Sequence, residues 1–86
     1  MTETKYPAVV ARACRLVAYL HTIQGEEQEK AQSAANILQL RIDEAVKKMD
    51  DSSIDALEYG MGVKGIHDWA WTGEIRKQIE EITNDY

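Results

Sequence analysis

Histidine and cysteine, the side chains that titrate or attack most readily near neutral pH, are few here: His21, His67 and the single cysteine, Cys14. His67 is followed by Asp68, and a histidine base steadied by a carboxylate is a recurrent catalytic arrangement. Neighbours on a helix point about 100° apart, however, so this pair does not converge on one target. No His-Glu-x-x-His string is present, and a metal site would have to gather ligands from distant helices. The run Gly60-Met61-Gly62-Val63-Lys64-Gly65 has the composition of a phosphate cradle but not its order. Gly65 follows Lys64 and no Ser or Thr comes next, so the glycines read as a turn that folds the chain back. Cys14 sits among apolar residues at an inward-facing helical position, which suits a packed, reduced thiol. No nucleophile–base–orienter set emerges, so no catalytic residue, metal ligand or cofactor is expected.

His21 stands in Leu20-His21-Thr22-Ile23-Gln24-Gly25. The string resembles the phosphoacceptor segment of histidine phosphotransfer domains, a His-Thr-Leu-Lys-Gly pattern on a bundle helix. The resemblance spans five residues and implies a phosphorylatable His21. Gln24 replaces the family's lysine, whose charge would stabilise a phosphorylated imidazole.

Binding chemistry is better represented. If Trp69 and Trp71 share a helix they point about 160° apart. Trp71 then joins Ile75, Ile79 and Ile82 on one apolar face, and Trp69 must fill a pocket made by the glycine turn or meet a partner. Tyr59, Met61 and Val63 would enlarge that patch. Trp69, Tyr59, Met61 and Asp68 are therefore the expected partner-binding residues. A second set lies near the N-terminus, where Tyr6, Arg12, Arg15 and Tyr19 form a basic, aromatic strip. Such a strip could grip a small anion such as a nucleotide, above all at a subunit junction.

The elements that must position these residues are helical. Five glycines and one proline are too few turn formers for an all-β chain of this length. Pro7 can open a first helix over 7–24, with Gly25 as its stop. Its apolar residues, Val9, Val10, Ala13, Cys14, Leu16, Val17, Leu20 and Ile23, cover more than half the circumference, which marks a central helix. A long helix over 26–50 carries Ala31, Ala35, Leu38, Ile42, Ala45 and Met49 in an unbroken four–three seam, widened by Ile37 and Leu40. The two read as an antiparallel hairpin. A short helix over 53–59 follows, with Ser52 as candidate cap and Asp55 three residues on. A glycine-rich loop over 60–67 leads to a C-terminal amphipathic helix over 68–84. The whole is a single all-α domain, a small helical bundle.

Ten Lys and Arg against fifteen Asp and Glu give a net charge of −5. Direct nucleic-acid binding is not expected from that balance. The charge is also uneven: residues 1–25 hold Lys5, Arg12 and Arg15 against Glu3, whereas residues 50–86 hold nine acids against Lys64, Arg76 and Lys77. No run approaches the roughly 20 apolar residues of a membrane span, and the N-terminus lacks a secretory pattern, so a cytoplasmic location is expected, of a cell or a phage-infected host. The width of the apolar surface on the first helix suggests self-association, most simply a homodimer. The functional expectation is a small acidic, non-enzymatic interaction protein. It would be a regulatory subunit or inhibitor docking on a larger protein, such as a phage-type inhibitor of a nucleic-acid-binding machine. An oligomeric nucleotide binder using the basic strip is the second expectation, and a phosphotransfer bundle using His21 the third.

Overall fold

Helix α1 (Lys5–Leu20) stops four residues short of the predicted end. The Thr22 hydroxyl donates to the Tyr19 carbonyl at 2.6 Å, diverting an acceptor that a further turn would use. Gly25, at φ +90°, then reverses the chain. A single 3₁₀ turn, Gly25–Glu27, leads into α2 (Gln28–Lys48). At about 1.5 Å per residue α2 is roughly 31 Å long. Met49, expected to end the inward seam, instead adopts the left-handed conformation and is exposed. Its N–H caps the helix on the Ala45 carbonyl at 2.8 Å.

The structure, a computed structural model, describes residues 5–62 and 65–83, with side chains from residue 8 onward. Helix α3 (Asp51–Gly60) begins two residues earlier than expected because Asp50, not Ser52, is the cap. Asp50 is extended, and its carboxylate accepts the Ser53 N–H at 2.8 Å. The C-terminal helix α4 covers only Gly73–Thr83, not 68–84. The chain before it forms a short 3₁₀ turn, Ile66–Trp69, and a left-handed Ala70 (φ 56°) breaks any continuation. Residues 63 and 64 of the predicted loop and residue 84 of the predicted last helix lie outside the described residues.

The architecture is an all-α bundle with no strand among the described residues. Helices α1 and α2 form the expected antiparallel hairpin, α3 packs across both, and α4 returns to α1. The seam Ala31, Ala35, Leu38, Ile42 and Ala45 is buried, and its alanines let α1 approach closely. Leu16, Leu20, Ile54, Leu57 and Ile79 complete the core. The wide apolar arc of α1 is covered within the chain by three helices, so its width does not by itself call for a second subunit. Two positions on that arc exchange places relative to expectation. Arg12 is buried, at 5% exposure, while Cys14 is exposed rather than packed.

Candidate functional site

The Ile66–Trp71 bend organises one end of the molecule. The Trp71 indole N–H donates to the Ile66 carbonyl at 2.7 Å in the interior, satisfying both groups. Because Ala70 is left-handed, the two tryptophans do not diverge as on a helix. They stack, with ring centres 6.3 Å apart and planes within 9°. Trp71 is buried, and Trp69 is half-buried against the core. Lys30 of α2 donates to the Ala70 carbonyl at 3.1 Å and pairs with Glu27 at 3.3 Å. The other end of the turn is tied to α4, where His67 Nε2 lies 3.0 Å from the Thr83 hydroxyl. The same hydroxyl lies 2.9 Å from the Ile79 carbonyl and 3.3 Å from the Glu80 carbonyl, so it joins the turn to the last turn of α4.

Held this way, Trp69 forms one wall of a cleft of roughly 170 Å³, with Tyr59 of α3 and Ile37 of α2 around it. Gly60 and Gly65 line its floor. A side chain on Gly65 would overlap the Gly60 carbonyl, so the two backbone segments meet only because Gly65 has none. A second cleft, of roughly 260 Å³, continues between α2 and α3 beside Leu40, Glu44, Ser53 and Ala56. Arg41 lines both. Its side chain lies over Gly60, where a Cβ would come within 3.1 Å of the Arg41 Cδ. Ile37 is 44% exposed, Leu40 70% and Tyr59 59%.

Two of the four expected partner-binding residues, Tyr59 and Trp69, are thus brought to one cleft. Met61 is not available to a partner: at 4% exposure it belongs to the core, where α3 ends and the chain turns inward. Asp68 is exposed but does not line the cleft. Sequence reasoning missed Arg41 and placed Ile37 and Leu40 on a buried stripe. Their position off the four–three seam was the available signal.

The basic strip is not assembled as expected. Arg12 is buried, Arg15 is exposed, and the side chain of Tyr6 lies outside the described residues. Tyr19 is half-buried, and burial first, then the negative charge of Glu74, raises its pKa above the ordinary phenol value. His21 is exposed just beyond α1. Among the described residues no group of three His, Cys, Asp or Glu could hold a metal ion, and no helix is long and apolar enough to cross a membrane. No family model, curated protein or solved structure matches the chain.

Proposed function

We propose that this protein is a non-enzymatic interaction module that docks on a larger protein through the paired clefts between α2 and α3. The observation that carries the reading is the pairing of Ile37 and Tyr59, both large, apolar and exposed, with the half-buried Trp69 in one cleft, while the exposed Leu40 lines the second cleft beyond Arg41. Contiguous apolar surface framed by polar residues is what a binding site needs and a free monomer avoids. Two clefts that share Arg41 offer successive pockets to side chains spaced along one segment, and the occupant that fits them is an amphipathic helix of the partner. Helix α3 and its cap carry Asp50, Asp51, Asp55 and Glu58 and no Lys or Arg, which favours basic flanks on that helix. An inhibitor or regulatory subunit of a protein that otherwise binds nucleic acid has the matching charge.

The test is site-specific photo-crosslinking in native cells. A benzoyl-phenylalanine at position 59 should yield an adduct with one protein, and the same group at the exposed Ala18 on α1 should not. Equal labelling from both positions, or none from position 59, overturns the reading.

A further inference from the structure

We infer that Arg41 reads a carboxylate on the docked helix, so that the partner segment carries an Asp or Glu between two apolar anchors. This rests on the docking reading above and adds the chemistry of recognition to it. Arg41 is half-buried, yet among the described residues its guanidinium makes only a long hydrogen bond, 3.5 Å to the Ala56 carbonyl, and no ion pair. A guanidinium has five donors in a planar fork and cannot shed its charge, so most of its capacity here is unspent. Its place is equally specific: it lines both clefts, with Ile37, Tyr59 and Trp69 in the first and Leu40 and Ala56 beside Glu44 and Ser53 in the second. An occupant that fills both clefts must cross Arg41. A helix doing so presents anchors near i and i+7 and a third side chain at i+3 or i+4 between them.

What that third side chain should be follows from charge. An apolar group would strip water from the guanidinium and return nothing, while a lysine or arginine would meet a like charge. A carboxylate accepts two parallel N–H bonds from the fork. Glu44 lines the second cleft, so a partner acid placed there would meet a like charge, and the carboxylate is favoured over Arg41 and resisted in that cleft. That contrast fixes the register of the docked helix. Gly60 permits the arrangement, since a side chain there would press on the Arg41 stem.

The test uses a phage-displayed library of helical 18-residue peptides selected on the intact protein. Enriched peptides should share an Asp or Glu flanked by large apolar residues at helical spacing. Changing that acid to its amide should weaken binding to the wild-type protein about tenfold or more, read by titration calorimetry. The same change should have no effect on binding to an Arg41→Met variant. Enriched peptides without the acid, or an equal effect of the amide on both proteins, overturn the inference. The comparison on the wild-type protein alone decides the point if the Arg41→Met variant folds poorly. Failure of the docking reading looks different: no peptide is enriched, or Ile37→Asp leaves the binding of every enriched peptide unchanged.

Discussion

The ammonium of Lys30 stands over the ring of Trp71, 5.3 Å from its centre, while hydrogen-bonding the Ala70 carbonyl. One side chain from the start of α2 therefore holds the bend that presents Trp69 to the cleft. Replacing Lys30 by Met keeps the aliphatic stem and removes the cation–π contact, the hydrogen bond and the pairing with Glu27. The expected loss is about 1 kcal/mol in urea unfolding, given that Lys30 is partly solvated. Lys30→Arg should lose much less. An unchanged midpoint for Lys30→Met would mean that the bend is held by packing alone.

Trp71→Phe preserves a buried ring but removes the donor to the Ile66 carbonyl. The expected cost is about 1–3 kcal/mol, because an interior carbonyl loses its partner. Trp69→Phe, with no hydrogen bond at stake, should cost distinctly less. Equal costs at the two positions in a thermal melt would contradict the asymmetry.

Glycines 65 and 73 should respond in opposite directions to alanine. At Gly65 the new methyl meets the Gly60 carbonyl, a piece of backbone that cannot swing aside, and about 1–3 kcal/mol of stability should be lost. At Gly73, the first residue of α4, nothing lies within 4 Å of the added carbon. There alanine should stabilise by about 0.4–1 kcal/mol through the unfolded chain. Melting temperatures of the two variants check both signs.

The Asp50 cap gives the protein an acid-sensitive joint. Its pKa is lowered, mainly by the backbone N–H of Ser53 and further by the charge of Lys48. A carboxyl that is more acidic when folded adds stability above its unfolded pKa, near 4, and loses it as pH falls through the lower folded value. Asp50→Asn retains a capping oxygen, so its melting temperature should fall less steeply as pH drops below about 4. Identical acid limbs for wild type and variant would show that the cap makes no contribution to acid unfolding.

At the alkaline end the sign reverses. Tyr19 holds its proton more tightly when folded, so above about pH 10 the unfolded chain ionises first and is favoured. Tyr19→Phe should flatten the fall in melting temperature over that range. A wild-type chain whose stability does not fall more steeply than the variant's would rule this out.

The hairpin was readable because Ala31, Ala35, Leu38, Ile42 and Ala45 recur at four–three spacing, and such a seam has one inward solution. Helix α1 was harder: with apolar residues over most of its circumference, spacing alone could not say that Arg12 faces in and Cys14 out. The tryptophans were misjudged because a helix was assumed through Ala70, a residue with no sequence mark of the left-handed conformation it adopts. Arg41 was invisible for another reason. Its importance lies in Gly60, nineteen residues away, leaving room for its side chain, and only the packing of α3 on α2 brings them together.

The contact pattern of the helices also sets how the molecule opens. Helices α1, α2 and α3 each touch the other two, forming a closed cycle, whereas α4 hangs chiefly from α1 and the Ile66–Trp69 turn. A cycle survives the loss of one contact, and a pendant does not. Amide protons of α4 should therefore exchange by partial opening while those of α2 wait for global unfolding, and native-state hydrogen exchange checks the difference. The expected first excited state of this protein is a three-helix cycle with the α4 berth on α1 vacated.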